Sequence, residues 1–295
     1  MTTAELSSTP VPRKEVTGYR LALRRFRRNR LAVAGLVLVV VFLLFCFAGP
    51  LLYATDQTHT HLTEVNLAPN GSHWLGTDAV GHDELGRLMY GGKVSLLVGL
   101  CAGLLATVIG TAWGAVAGYA GGWVDAGMMR VVDAGIAIPA LFILLVVSAI
   151  TTPGLAGLIM ILGLVSWLVP SRLVRAETLT LKNRDYVLTL RAIGGGHGRA
   201  IARHILPNSV STIVVAATFQ VADAILLVAY VSYLGLGVQP PATDWGGMLS
   251  AGLTAAYSDR WWLIAPPGLA IILVVCAFNA IGDGLRDAFD VKGRG

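Results

Sequence analysis

The side chains best suited to binding or catalysis are concentrated in one polar segment, residues 175–208. This segment contains the glycine-rich stretch GGGHG at residues 194–198. Glycine-rich loops can hold phosphates through backbone N–H groups, but a nucleotide loop also needs a following Lys and a preceding strand. Because both are missing, we predict that the stretch binds no nucleotide. Without an H-E-x-x-H or G-x-S-x-G motif, we predict no catalytic residue and no bound cofactor.

A second polar segment, residues 54–92, is rich in histidine. It holds four of the six histidines in the chain, His59, His61, His73 and His82. A metal site is one interpretation, but the spacing of these residues matches no diagnostic zinc pattern, and a solvated loop is the alternative. Asp83 comes shortly before an apolar run, and we predict that it caps the helix that begins there.

Two residues inside apolar segments are candidates for lining a transport pathway. A carboxylate such as Asp223 faces a water-filled cavity or a partner helix more readily than lipid. Pro139 is predicted to kink its helix, because it donates no backbone hydrogen bond. Arg130 and Asp133 are spaced i, i+3 on a predicted helix, so we expect them to form an ion pair.

The composition indicates which elements must position these residues. The chain has 295 residues, of which 55% are hydrophobic and 13% charged, whereas soluble domains have about 25% charged residues. Six apolar segments are each long enough to cross a bilayer as a helix. They cover residues 31–53, 94–119, 124–150, 155–174, 210–236 and 262–281. We therefore predict an all-α membrane protein with six transmembrane helices.

The distribution of basic residues predicts the orientation. If the N-terminus lies in the cytoplasm, all but three of the 22 Lys and Arg residues lie on the cytoplasmic side, the exceptions being Arg87, Lys93 and Arg260. Both termini and segment 175–208 are then cytoplasmic, and segments 54–92 and 237–261 are outside. This bias also explains the net charge of +5 without nucleic acid. The basic stretch 19–30 either lies along anionic lipid or only sets the topology.

The resulting domain organisation has three parts. Residues 1–30 form a basic cytoplasmic segment, residues 31–290 form the membrane domain, and residues 291–295 form a cytoplasmic tail.

Segment 175–208 is predicted to contain two short helices separated by Gly194, Gly195 and Gly196. In the first helix, Tyr186, Val187, Leu190 and Ile193 fall on one face. The opposite face carries Arg184, Leu188 and Arg191. Such an amphipathic unit can dock in the groove of a partner, or it can pack back on the spans of its own chain.

This segment resembles the cytoplasmic coupling loop of binding-protein-dependent ABC importer permeases, whose pattern is EAA-x3-G-x9-I-x-L-P. Gly194, the spacing and the Leu206-Pro207 pair match the pattern, whereas its EAA triplet is replaced by Leu188, Thr189 and Leu190. Further matches resemble the C-type subunit of dipeptide, oligopeptide and nickel permeases, although His82 stands where this subfamily usually has Arg. These matches are HWLGTD at 73–78, LGR at 85–87, VSL at 94–96, RHILPN at 203–208, LGLGVQPP at 234–241, WG at 245–246 and NAIGDGLRD at 279–287.

The resemblance implies a type I ABC importer fold and a set of partners. These are a second homologous permease subunit, two cytoplasmic ATPase subunits that bind ATP and Mg, and an extracytoplasmic peptide-binding protein. The coupling residues would be Arg184, Asp185, Tyr186, Val187, Leu188, Leu190, Arg191, Ala192 and Gly194. Asp78, His82, Asp83 and Trp245 would face the binding protein.

The function that the resemblance implies is non-catalytic translocation of di- or oligopeptides across the bacterial inner membrane. The same machine importing nickel or another small solute is the alternative. A stand-alone secondary transporter is a more distant one, because the chain shows no internal repeat and no relay of charges.

Overall fold

The computed structural model describes residues 18–253 and 259–289, and these residues form helices joined by loops. The predicted N-terminal segment 1–30 is thus described only from residue 18, and the predicted tail 291–295 lies outside the described residues. A π-helical turn spans Ile201–Ile205 and a 3-10 turn spans Trp261–Leu263. The α-helices are α1 (Gly18–Arg28), α2 (Arg30–Phe47), α3 (Gly49–Leu52), α4 (Glu84–Ala120), α5 (Gly122–Ile136), α6 (Ala140–Thr151), α7 (Leu155–Ser166), α8 (Leu168–Leu181), α9 (Asp185–Ala192), α10 (His197–Ala200), α11 (Leu206–Asn208), α12 (Val210–Tyr233), α13 (Trp245–Leu253) and α14 (Ala265–Phe289).

Four continuous helical stretches of the described chain are long and apolar enough to cross a membrane. They correspond to α2, α4, α12 and α14 with its preceding 3-10 turn. Two bent helix pairs, α5 with α6 and α7 with α8, raise the number to six if each pair is one span. The α5–α6 pair bends by 74° at a break that contains Pro139, as its missing N–H predicts.

The long helix α4 begins ten residues before the predicted apolar segment because its start is fixed by a polar cap. The side chain of Asp83 accepts a hydrogen bond from the backbone N–H of Gly86 at 2.8 Å. This confirms the predicted capping role of Asp83. The cap extends the helix through a polar turn before the apolar residues start, which hydropathy alone could not indicate.

Helix α4 lies at the centre of the bundle, where small residues let its neighbours approach. It packs against α8, α12 and α7. A Cβ added at Gly103 would lie 2.8 Å from the backbone of Val221 in α12, and one added at Gly114 would lie 2.9 Å from the backbone nitrogen of Arg175 in α8. The spacing of these glycines predicted such close helix packing, and the structure assigns the partners.

The predicted Arg130–Asp133 ion pair is wrong. Asp133 instead pairs with Arg172 of α8, with 2.5 Å between its Oδ1 atom and the guanidinium nitrogen. Since α5 packs along α8, a cation from the neighbouring helix reaches this carboxylate. Spacing within one helix could not reveal that neighbour.

The packing of α4 on α8 yields a prediction with a matched control. Gly114→Ala inserts a methyl group against the α8 backbone and should lower the free energy of unfolding by about 1–3 kcal/mol. Gly127→Ala in α5 meets nothing within 4 Å and should gain up to about 1 kcal/mol of helix propensity. Thermal unfolding of the purified chain in detergent measures both, and equal midpoints for the two variants would contradict the packing argument.

Candidate functional site

The candidate coupling helix, α9, has well-defined ends. Asp185 lies in its first turn, where a carboxylate interacts favourably with the helix dipole. At its other end, Gly194 adopts a φ of +78°, and the N–H of Gly195 donates to the carbonyl of Leu190 at 2.8 Å. This is a Schellman motif, in which the left-handed position favours glycine. The glycine that matches the coupling-loop pattern is therefore the residue that ends the helix.

The inner side of α9 packs on its own chain. Val187 is fully buried in a cluster with Tyr119, Leu181, Ala200 and Ile205. Leu190 packs against the same cluster. Helix α9 is therefore anchored to the C-terminal end of α4, where Tyr119 lies, and to the end of α8, where Leu181 lies.

The outer side of α9 carries apolar side chains without cover from the described residues. Leu188 is 46% exposed, Tyr186 is 41% exposed and Ile193, just after the helix, is 77% exposed. The predicted common face of Tyr186, Val187, Leu190 and Ile193 is therefore wrong in part. Val187 and Leu190 point into the protein, whereas Tyr186 and Ile193 join Leu188 at the surface.

Other predicted coupling residues surround this exposed face. Arg184, Asp185, Ala192 and Gly194 are all exposed. Arg191 lies in the last turn of α9. The two alternatives for segment 175–208 thus apply to opposite sides of one helix: one side packs back on the spans, and the other is open to a partner.

A charged clamp, Asp125 with Arg175, holds α5 against α8 just before this region. The guanidinium of Arg175 donates two hydrogen bonds to the carboxylate of Asp125, one of them 2.6 Å long. Nearby, Nζ of Lys182 donates to the carbonyl of Gly118 at 2.8 Å. Together these contacts connect the start of α5 to the ends of α4 and α8, next to α9. The sequence signal for the clamp was weak, since its two residues are 50 positions apart.

The two candidate pathway residues line one cavity. Asp223 of α12 and Pro139 at the α5–α6 bend both face a cavity of about 340 Å³, together with Gln220 and Tyr230. Pro139 therefore places the break between α5 and α6 at the same cavity as the carboxylate of Asp223. Cavities of this kind are where ionisable groups inside membrane proteins usually lie.

The residues of segment 54–92 that were predicted to face the binding protein form a buried polar network instead of an open surface. Asp83 accepts hydrogen bonds from the hydroxyl of Tyr53 at 2.8 Å and from Nδ1 of His73 at 3.0 Å. Oδ2 of Asp78 lies 3.3 Å from Arg87. His82 and Asp83 are buried, so the expectation that they face a partner is wrong, because their contacts instead stabilise segment 54–92. Asp78 remains partly exposed.

The expectation that Trp245 faces the binding protein is also wrong. It is 0% exposed, and its indole N–H donates to the carbonyl of Leu88 at 3.0 Å. Trp245 therefore anchors α13 to α4 and is not available for docking. The adjacent Asp244 caps α13 by accepting from the N–H of Gly247 at 2.9 Å. Burial raises the pKa of the Asp244 carboxyl, although hydrogen bonds from Ser232 and the α13 backbone oppose this shift.

The histidines of segment 54–92 do not converge. In residues 18–253 and 259–289, no three His, Cys, Asp or Glu side chains lie close enough together to hold a metal ion. His73 and His82 bind separate carboxylates, Asp83 and Asp78.

Comparisons with known proteins agree with this architecture. The family model for the binding-protein-dependent transport system inner membrane component matches residues 110–294. The model for the N-terminal transmembrane domain of oligopeptide transport permease C matches residues 18–69. A chain from Brucella suis biovar 1, provisionally named a peptide permease protein, is 45% identical over 269 residues, covering 91% of this chain and 89% of its own.

Two further relatives carry more specific names. The dipeptide transport system permease protein of Bacillus subtilis is 38% identical and covers 92% of this chain and 85% of its own length. The glutathione transport system permease protein of Pectobacterium atrosepticum is 39% identical and covers 98% of this chain and 97% of its own length.

The helical bundle, its membrane-length helices and these matches define a multi-pass inner membrane protein of a transport system. More particularly, the chain belongs to the family of binding-protein-dependent transport system inner membrane components, and it is an ABC transporter permease. This confirms the family that the motifs at residues 73–96, 194–208 and 234–287 predicted.

The Asp125–Arg175 clamp provides a second testable prediction. Asp125→Asn removes charge from a mostly buried pair and should lower the free energy of unfolding by about 1–3 kcal/mol. Asp133→Asn breaks a pair whose side chains are 47% and 50% exposed and should cost less than about 1 kcal/mol. Chemical unfolding of the two purified variants compares these effects. A larger loss in the Asp133 variant would show that the clamp does not hold this region.

Proposed function

We propose that this chain is a translocation subunit of an ATP-driven importer of short peptides. The observation that carries the proposal is the exposed apolar side of α9 in a chain of this permease family. The opposite side of this helix is fixed to the protein because Val187 is buried in a hydrophobic cluster. The chain itself is non-catalytic and binds no cofactor in this proposal. Partner ATPase subunits bind ATP and Mg, and a second homologous permease subunit completes the membrane assembly.

The substrate class follows from the relatives. Their printed names refer to dipeptide and glutathione transport, and the family name refers to a binding protein. We therefore propose di- or oligopeptides as the substrate, delivered by an extracytoplasmic binding protein. Nickel gains no support from the described histidines, because they bind separate carboxylates.

The proposed topology is that of a type I importer with six spans and both termini in the cytoplasm. Residues 31–290 form the membrane domain, with segment 54–92 outside and segment 175–208 inside. The four continuous helical stretches and two bent pairs supply six candidate spans, and the distribution of Lys and Arg supports the orientation.

In the proposed mechanism, the exposed side chains of Tyr186, Leu188 and Ile193 sit in a cleft of one ATPase subunit. Closure of the ATPase dimer displaces α9, and Val187 transmits the displacement because it is embedded in the cluster at the end of α4. The Asp125–Arg175 clamp makes α5 and α8 move with α4. The cavity beside Asp223 and Pro139 belongs to the pathway that opens alternately to the two sides.

A paired substitution tests the coupling role. Leu188→Asp places a charge in the proposed apolar contact and should abolish both peptide uptake and peptide-stimulated ATP hydrolysis in the assembled transporter. Leu62→Asp makes the same change at a residue that is 77% exposed in segment 54–92, and it should leave ATP hydrolysis unchanged. Both activities are measured after reconstitution of the complete transporter in vesicles.

Assembly is checked in the same preparations by co-purification of the ATPase subunits. Retention of uptake and stimulated hydrolysis by the Leu188 variant, in a fully assembled complex, would rule out coupling through α9. Loss of both activities in the Leu62 variant would indicate that the assay does not distinguish the two sides of the protein.

Cysteine labelling tests the topology. Asn183→Cys and Asn70→Cys are introduced in a variant whose three native cysteines are replaced. Both sites are exposed. In intact cells stripped of the outer membrane, an impermeant maleimide should label position 70 and should reach position 183 only after lysis. The opposite pattern would invert the orientation, and labelling of both positions in intact cells would contradict the six-span arrangement.

A further inference from the structure

A dense basic cluster lies at the junction of α1 and α2. Five of the seven consecutive residues 24–30 are arginines, and all five are exposed: Arg24, Arg25, Arg27, Arg28 and Arg30. None of them forms an ion pair with a residue that the structure describes. Like charges packed this closely repel one another, so an anion beside them is favoured. Residues 18–253 and 259–289 do not supply that anion.

Packing on α14 fixes the direction in which the basic cluster points. Ala22 and Phe26 of α1 are buried in a hydrophobic cluster with Ala32 of α2 and Ala288 of α14. Gly284 of α14 makes this contact possible, because a Cβ added there would clash with Ala32 and lie 3.4 Å from the ring of Phe26. Since the apolar side of α1 faces α14, the exposed arginines point away from the helical bundle.

A helix break at Asn29 places the basic cluster at the beginning of a span. Oδ1 of Asn29 accepts hydrogen bonds from the N–H groups of Leu31 and Ala32 at 3.1 and 3.2 Å, and this caps α2. Helix α2 is a candidate membrane span that starts at Arg30. The ends of a span lie at the polar headgroup region of the bilayer. The basic cluster is therefore at the depth of the lipid phosphates.

An exposed apolar stripe on α2 continues from the basic cluster into the span. Val37, Val41 and Leu44 are 56%, 52% and 60% exposed, and their i, i+4, i+7 spacing puts them on one face. Arg30 lies on the same face, because it precedes Val37 by seven residues, or two helical turns. A lipid whose headgroup lies beside Arg30 would therefore place its acyl chains against this stripe.

We propose that the basic cluster binds the headgroups of anionic phospholipids such as phosphatidylglycerol, and that their acyl chains cover the exposed stripe of α2. A guanidinium group can donate two parallel hydrogen bonds to one phosphate. Clusters of Lys and Arg beside a span attract anionic lipid. Of the two interpretations of residues 19–30, the proposal selects contact with anionic lipid. It does not depend on the transport function.

A fluorescent probe on the stripe tests which lipid lies there. Val37→Cys is introduced in a full-length chain whose three native cysteines are replaced, labelled with bimane and reconstituted in phosphatidylcholine vesicles. Quenching is measured with phosphatidylglycerol or phosphatidylcholine that carries a nitroxide on an acyl chain. Phosphatidylglycerol should bind at least about fivefold more tightly at this position, the factor that one basic residue near an anionic surface typically contributes.

A second probe position and a change in salt are the controls. Val108→Cys lies in α4, at a residue that is 65% exposed and remote in sequence from the basic cluster. The two nitroxide lipids should quench this probe equally. High salt should reduce the preference at the Val37 position, because ions screen exposed charges.

Substitution of arginines assigns the preference to the basic cluster. Arg24→Gln together with Arg28→Gln should lower the affinity for phosphatidylglycerol at the stripe by at least about fivefold. Arg199→Gln together with Arg203→Gln removes the same charge from exposed residues of segment 175–208 and should leave the preference unchanged. Both double variants should keep the unfolding midpoint of the unmodified chain in detergent, because none of the four side chains forms a described ion pair.

Three results would overturn the proposal. The first is equal quenching of the Val37 probe by the two nitroxide lipids. The second is a preference for phosphatidylglycerol that the Arg24 and Arg28 double variant retains, or that both double variants lose equally. The third is displacement of the labelled lipid by soluble glycerophosphate, but not by sodium chloride at the same ionic strength, which would assign the basic cluster to soluble phosphate compounds.

Discussion

The close approach of helices around α4 is the constraint on which the rest of the structure depends. A helix at the centre of a membrane bundle gains little from the hydrophobic effect, because lipid tails are as apolar as its neighbours. Its stability comes from contact between backbones, which only small residues allow. Gly103 and Gly114 place α12 and α8 directly against α4. The candidate sites are positioned by elements that pack against this helix or adjoin its ends.

The two ends of α4 connect regions with different chemistry. At one end, Asp83 caps the helix and belongs to the polar network that contains Tyr53 and His73. At the other, Tyr119 belongs to the cluster that buries Val187 of α9. A continuous helix of 37 residues joins them. This geometry links the proposed ATPase contact to the polar network around Asp83.

Individual residues show where prediction from sequence succeeded and where it failed. Pro139, Gly194 and Asp83 have effects that depend on their own backbone or on residues a few positions away, and all three were anticipated. Trp245, Asp133 and the apolar face of α9 depend on contacts far along the chain, and these were misjudged. Trp245 was expected to face the binding protein, but a carbonyl of α4 accepts its N–H in the core. The Asp125–Arg175 clamp was missed for the same reason.

The sequence by itself determined the class of protein, the number of candidate spans and the permease family. These properties follow from local hydropathy, from turn residues and from motifs, each contained in a short stretch of chain. Only the tertiary structure decided which side of α9 is buried and which carboxylates His73 and His82 contact. Whether a side chain is covered or has a hydrogen-bond partner depends on the elements packed against it, and local periodicity carries no information about those neighbours.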